Sequence, residues 1–284
     1  MPELPEVEVL VRHLGPLLKN KTIRAVRVRR ARVARPTSPR QLSLALRGAK
    51  FTNLSRRGKY LVFELQSPAR IEPLVLIGHL GMTGRMYLAR AGKPLPKHAA
   101  VVLNLGGEDF VFEDTRYFGR LTLDTKAVNA LGPEPLSAEF TAESFADALK
   151  KSKQPIKIKL LDQSLIAGVG NIYASEALFR ARVSPRLAAR RLKMNQVKRL
   201  WRAIREVLSA AIEVGSTVPL NYAGTGARDG LFYFGRVAGI PESYEERLQV
   251  YDRAGLPCPT CAGKIQRLVQ AARSTFYCPR CQRQ

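Results

Sequence analysis

Acidic side chains are scarce in this sequence. Of its 284 residues, 23 are Asp or Glu against 47 Lys or Arg, so the formal net charge is +24 and the isoelectric point lies near 10.5. A surface of that charge repels itself unless a polyanion neutralises it, so nucleic acid is the first partner to consider. Long apolar runs are missing too. Leu74–Ile77 and Val207–Ile212 fall far short of the roughly 20 residues a membrane-spanning helix needs, and no membrane partner is expected. Glu3, Glu6 and Glu8 stand where a secretory signal would carry its basic n-region, which gives the expectation of a protein in the cytoplasm of a prokaryote-like cell, or wherever DNA is kept. The basic residues are spread along the chain instead of forming one polybasic tail, there is no internal repeat or low-complexity tract, and cysteine is absent before Cys258.

What is present is 45% hydrophobic residues, enough for a globular chain of one large or two smaller domains. Val7, Val9, Leu10, Val11, Leu14, Leu17 and Leu18 recur at helical spacing and predict an opening helix. Short apolar stretches follow at Ile23–Val28, Phe51–Leu54, Tyr60–Leu65, Val75–Ile77, Val101–Leu105, Phe110–Phe112 and Leu121–Leu123. Their spacing suggests a β-sandwich or barrel over roughly the first 130 residues. Leu131-Gly132-Pro133-Glu134-Pro135 breaks the pattern. Beyond it helices are expected over residues 142–151, 156–162, 172–179 and 195–214, then a glycine-rich loop region over 221–245.

All four cysteines fall in one pattern, Cys258-Pro259-Thr260-Cys261 and Cys278-Pro279-Arg280-Cys281. Two Cys-x-x-Cys knuckles let one Zn²⁺ collect four thiolates, stapling a hairpin too small to own a core. Two disulfides or a redox pair are the competing readings, and the spacing favours zinc. Such a site is structural, because four protein ligands leave no position for water. Lys264, Arg267, Arg273 and Ser274 lie between the knuckles, a basic hairpin able to grip phosphates or simply to face solvent.

Two further segments carry chemistry. Gly168-Val169-Gly170-Asn171 precedes a predicted helix, and such a turn can aim backbone N–H groups and an amide at a phosphate. Lys157 and Lys159 on the preceding helix favour that use over an ordinary bend. At the other end, methionine is normally removed before proline, so Pro2 would present a secondary amine. With a reference pKa of about 8, an appreciable fraction is neutral and nucleophilic near neutral pH. Attack on a sugar aldehyde carbon gives an iminium ion, an electron sink for elimination, and Glu3 and Glu6 could act as acid or base. Acidic residues there can equally serve only to favour a helix N-terminus.

Together these segments resemble the formamidopyrimidine-DNA glycosylases, over nearly the whole chain. The likeness rests on Pro2-Glu3-Leu4-Pro5-Glu6-Val7-Glu8, Arg56-Arg57-Gly58-Lys59-Tyr60, His79-Leu80-Gly81-Met82, Asp114-Thr115-Arg116-Tyr117-Phe118-Gly119, Gly168-Val169-Gly170-Asn171 and the cysteine module, in that order. The resemblance implies a bifunctional repair enzyme, a DNA glycosylase and abasic-site lyase acting on oxidised purines (8-oxoguanine, formamidopyrimidines) in damaged double-stranded DNA. It implies Pro2 as nucleophile through a Schiff base, Glu3 as the acid that helps open the sugar, and Glu6 in support. Lys59 goes with β-elimination and Arg273 with δ-elimination. His98, Arg116, Lys153, Lys157 and Asn171 would hold the DNA. Met82, Arg116 and Phe118 would fill the gap left by an extruded base, although Met82 and Phe118 could also be core.

The implied fold is α+β: a catalytic β-sandwich with flanking helices over 1–131, a helix-two-turn-helix domain over 132–220, a lesion-capping loop over 221–245 and a zinc hairpin over 246–284. One structural Zn²⁺ on Cys258, Cys261, Cys278 and Cys281 and a monomeric state are expected. Two features depart from the family pattern. Tyr117 stands where a second basic residue is usual, and the loop over 219–244 is long, with Tyr222, Arg228, Phe232, Tyr233 and Phe234. An endonuclease VIII-type enzyme acting on oxidised pyrimidines, or a zinc DNA-binding protein without catalysis, are the alternatives.

Overall fold

The structure, a computed structural model, describes residues 2–68, 71–213 and 248–283. The chain forms two compact units. The first holds Pro2 and the described residues of 6–130, and the second holds residues 3–5, 131–213 and 248–283.

Helix α1 (Leu4–Leu18) is the predicted opening helix, starting three residues earlier than its apolar periodicity shows. Its inward residues Val7, Leu10, Leu14 and Leu18 are fully buried. After β1 (Ala25–Val28) come two short helices, α2 (Ala31–Ala34) and α3 (Pro39–Leu46). The sequence reading misses both. The signal for α3 was there, since Ser38 and Gln41 close a capping box and Pro39 opens the first turn. Strands β2 (Lys50–Arg57), β3 (Tyr60–Gln66), β4 (Leu74–His79), β5 (Gly84–Arg90), β6 (Ala99–Asn104), β7 (Glu108–Asp114) and β8 (Arg120–Thr122) follow, then the single turn α4 (Lys126–Asn129). Of these, β5 was not expected; Arg85 and Arg90 interrupt its apolar pattern, and pairing along all seven residues with β7 makes it a strand.

The strands form two four-stranded antiparallel sheets, ordered β1-β6-β7-β5 and β2-β3-β4-β8. The period-2 alternation of β3 puts Leu61, Phe63 and Leu65 inward, where they share one core with Leu103, Phe110 and Phe112 of the other sheet and with α1. Phe63 meets Phe110 edge to face, with ring centroids 5.7 Å apart, a favourable geometry for the ring quadrupoles. This is the sandwich the spacing suggested.

The second unit contains α5 (Ala142–Lys150), α6 (Ile156–Lys159), α7 (Asn171–Arg180) and α8 (Met194–Glu213). Thr141 and Ser144 cap α5 reciprocally. Helix α6 stops at Lys159, short of the expected residue 162, because Asp162 turns the chain: its Oδ1 accepts bonds from the Ser164 N–H at 3.0 Å and hydroxyl at 2.6 Å. A hairpin of β9 (Gln266–Gln270) and β10 (Arg273–Tyr277) packs Ile265, Phe276 and Cys278 with Phe179 and Val250. The expected loop over 221–245 lies outside the described residues.

Candidate DNA-repair site and zinc module

Within the first unit, the segment Arg56-Arg57-Gly58-Lys59 turns between β2 and β3, with Gly58 at φ 57°, a conformation costly for other residues. Arg56 fixes the turn. Its Nε donates to Glu8 Oε2 at 2.8 Å and its Nη1 to the Gly58 carbonyl at 3.0 Å. Burial pushes the Glu8 carboxyl up, and the hydrogen bonds and charges of Arg56 and Arg12 outweigh it, leaving the group below its ordinary value. Lys59 and Glu6 are buried, as is Pro2. His79, at the end of β4, stacks on Tyr60 with centroids 4.7 Å apart and accepts a bond from the Gly81 N–H at Nδ1, 3.1 Å away. Burial, then the charges of Lys59 and Arg120, push its pKa down to about 4. His79 is thus a neutral holder of the Gly81-Met82 turn, a role its motif did not reveal.

That turn meets a second loop. A Cβ on Gly81 would lie 2.6 Å from the Gly119 nitrogen, so glycine is what lets the two backbones touch. The buried Asp114 carboxylate organises the second loop, accepting from Thr83 Oγ1 at 2.6 Å, Arg116 N at 3.1 Å and Gly119 N at 2.8 Å. On these paired loops Met82 and Phe118 are 43% and 46% exposed, which rules out the core reading for both. The Arg116 guanidinium carbon lies 5.7 Å from the Phe118 centroid. Tyr117 takes φ 54°, and its hydroxyl lies 3.2 Å from His98 Nδ1.

In the second unit Glu3 is 1% exposed. Its Oε1 accepts from the Ile172 N–H at 2.9 Å and its Oε2 from the Tyr173 N–H at 3.3 Å, the first donors of α7. The sequence suggested that this turn aims its N–H groups at a phosphate; in the structure a carboxylate of the same chain takes two of them. The glycines explain themselves here. A Cβ on Gly170 would sit 2.3 Å from Glu3 Cδ, and one on Gly168, at φ +84°, 2.6 Å from Leu4. The Leu4 N–H donates to the Gly168 carbonyl at 3.1 Å.

Asn171 works in both directions. Its Oδ1 accepts from Lys157 Nζ at 2.6 Å and its Nδ2 donates to the Ser274 carbonyl at 2.9 Å, tying α6 and α7 to the hairpin. Lys157, expected to hold DNA, is instead 0% exposed, its ammonium taken up by Asn171 inside the fold. Burial pushes its pKa down to about 8; Glu3 opposes this and Arg273 adds to it. Arg273 and Lys153 are exposed. Glu176, for which the sequence suggests no role, is buried on α7 and accepts the N–H groups of Gln249, Val250 and Tyr251 at 2.8–3.0 Å. Burial raises its pKa against those three donors.

The four cysteine sulfurs lie within 4.8 Å of one another, with Cys258–Cys281 at 3.8 Å and Cys261–Cys278 at 3.5 Å. A tetrahedron of thiolates at about 2.3 Å from zinc places its sulfurs about 3.8 Å apart. The donor set fits one structural Zn²⁺ and leaves no ligand position over.

Three family models match the chain: the formamidopyrimidine-DNA glycosylase N-terminal domain over residues 1–121, the H2TH domain of the same glycosylases over 131–220, and a zinc finger found in FPG and IleRS over 255–284. The chain is 42% identical to a formamidopyrimidine-DNA glycosylase of Thermus thermophilus, covering 99% of this chain and 98% of the relative. It is 40% identical to one of Symbiobacterium thermophilum, over 99% and 89%. Among solved structures, a Lactococcus lactis FPG mutant in complex with Fapy-dG containing DNA superposes with a TM-score of 0.87 at 32% identity, covering 100% of both chains. A MutM in complex with carbocyclic 8-oxo-G containing DNA gives 0.85 at 32% identity, again over 100% of both.

Proposed function

The chain belongs to the formamidopyrimidine-DNA glycosylase family, and from that premise we propose that it removes oxidised purines from duplex DNA and cleaves the strand at the resulting abasic site through Pro2. Membership makes it a DNA glycosylase with abasic-site lyase activity and a structural zinc module. Among the described residues no helix is long and apolar enough to cross a membrane. Its relatives are bacterial, and we place it with the DNA of a bacterial cytoplasm, as a monomer. Residues 1–131 form the catalytic domain in this reading, 132–220 the helical DNA-binding domain, 221–245 the lesion cap and 246–284 the zinc hairpin.

The Pro2 amine attacks C1′ of the damaged nucleotide. The glycosidic bond breaks, its electron pair leaves with the base, and the base takes up a proton. Glu3 takes the proton that the Pro2 nitrogen sheds on attack and passes it to O4′ as the C1′–O4′ bond opens, and an iminium forms between C1′ and Pro2. Because the amine is secondary, that iminium is cationic without a further proton. Loss of a C2′ proton expels the 3′ phosphate, a step assigned to Lys59, and a second elimination, assigned to Arg273, expels the 5′ phosphate. Water releases the sugar fragment from Pro2. Met82, Arg116 and Phe118 fill the space of the extruded base, their exposure suiting that task. His98, Lys153 and Asn171 grip the backbone, with buried Lys157 orienting Asn171. Bound zinc supplies a rigid staple for the hairpin that carries Arg273.

The observation that carries this reading is the anchoring of Glu3, whose carboxylate is pinned by two α7 N–H groups directly after the nucleophile. Borohydride reduction on 8-oxoguanine duplex should trap a covalent adduct at Pro2, and Pro2→Gly should abolish most of it. Absence of any adduct from the Met1-free protein, on 8-oxoguanine and on abasic DNA alike, would refute the reading. Trapping on thymine-glycol duplex in preference to 8-oxoguanine would point instead to oxidised pyrimidines.

A further inference from the structure

Arg30, Tyr117 and His98 stand together in the first unit. The guanidinium carbon of Arg30 lies 5.2 Å from the Tyr117 ring centroid. On the same ring, the hydroxyl is 3.2 Å from His98 Nδ1 and the two ring centroids are 6.1 Å apart. Two residues on, Arg32 lies 5.5 Å from the Phe118 centroid, so the start of α2 is laid along the loop that carries Phe118. All the backbones involved are fixed. The N–H groups of Arg29 and Arg30 donate to the Ala100 carbonyl at 2.9 and 3.1 Å, and that of Asp114 donates to the His98 carbonyl at 3.1 Å. Tyr117 itself holds φ 54°, a left-handed conformation that a bulky residue keeps only where its surroundings determine it.

Arg30 is exposed, and among the described residues no carboxylate forms an ion pair with it. A guanidinium resting on an aromatic face keeps its N–H fork for another acceptor. An imidazole engaged at Nδ1 has Nε2 left for a ligand. The geometry points to a phosphate grip: we propose that Arg30 contacts the DNA backbone beside His98, and that Tyr117 is the positioning residue that holds both. This rests on the DNA-repair reading above and adds to it a cation that no motif marks. It also gives a physical account of Tyr117, which stands where the resemblance leads one to expect a basic residue: the charge is carried by Arg30, on the ring.

The test is binding of a duplex containing a tetrahydrofuran abasic analogue, measured by fluorescence anisotropy over a series of salt concentrations. Arg30→Gln should weaken binding several-fold at low salt and make the slope of log K against log salt shallower by about 0.9, one phosphate contact. Arg30→Lys should retain most of the slope. Tyr117→Leu should weaken binding too, and Arg30→Gln should then add little to it. If Tyr117→Leu does not fold, the exposed Arg30 variants decide the matter alone. Arg47→Gln, at the end of α3, removes the same charge elsewhere and should leave the slope unchanged. An unchanged slope in Arg30→Gln, or an equal change in Arg47→Gln, overturns the proposal while the repair reading stands. A wild-type protein that does not bind the duplex overturns the reading and the proposal with it.

Discussion

Glu3 and Gly170 constrain each other tightly. A methyl group at residue 170 would need the space of the Glu3 carboxyl carbon, 2.3 Å away. Gly170→Ala should therefore displace Glu3 while leaving the strands of the first unit intact, and displacement by about an ångström typically costs on the order of a hundredfold in rate. The check is single-turnover excision alongside a circular dichroism melt. Lys157 allows a pH test. Its pKa in the folded chain is about 8, below its ordinary 10.5. The unfolded chain therefore holds more protons between those values, and stability rises with pH across that window. Below pH 8 the burial of the charge costs stability in full, on the order of 3 kcal/mol. Lys157→Met should flatten the pH dependence of the melting temperature between pH 8 and 10.5; an unaltered profile would show that Lys157 does not titrate there.

At the scale of the element, the β9–β10 hairpin turns on Ala271 and Ala272, at φ 47° and 58°. Two-residue hairpin loops want positive φ at both positions, which is why Asn-Gly is the favoured pair. Alanine in that region costs about 1–2 kcal/mol per residue. Replacing Ala271-Ala272 by Asn-Gly should stabilise the hairpin by about 1 kcal/mol or more, read as slower zinc release to a chelator. Helix α7 is the counterpart. Through Glu176 it accepts three successive backbone N–H groups of the segment entering the zinc module. Glu176→Leu removes the acceptor of these bonds, including the one buried around Val250, and a loss of about 1–3 kcal/mol is expected in denaturant unfolding. Neither feature has a local signal in sequence: alanine pairs are not turn formers, and a glutamate on a helix reads as a solvated charge.

For the molecule as a whole, two sandwiched sheets with a continuous apolar core need no metal, whereas the cysteine hairpin has only a small cluster, shared with Phe179 of α7 and Val250. Chelation should release one zinc per chain and weaken DNA binding, and the melting transition of the first unit should persist. A single coincident unfolding on zinc removal would contradict that division. The net charge of +24 sets the background for every binding measurement: affinity should fall steeply with salt, and comparisons between variants hold only at matched ionic strength.

The sequence by itself determined the chemistry that is local. The cysteine spacing specified a tetrahedral site, the alternation of β3 specified its buried face, and Pro2 after Met1 raised the expectation of an amine nucleophile. Such features depend on residues a few positions apart, where periodicity and covalent geometry decide. What only the tertiary structure decided are pairings across long stretches of chain. Glu3 lies on the first turn of α7, Asn171 sits between Lys157 and Ser274, and Tyr117 between Arg30 and His98. No period or spacing encodes these, because each partner is brought in by the packing of whole elements. The helix N-terminus at Gly168-Val169-Gly170-Asn171 shows the difference: its N–H groups were legible as an anion site, and the fold supplied the anion, the carboxylate of Glu3.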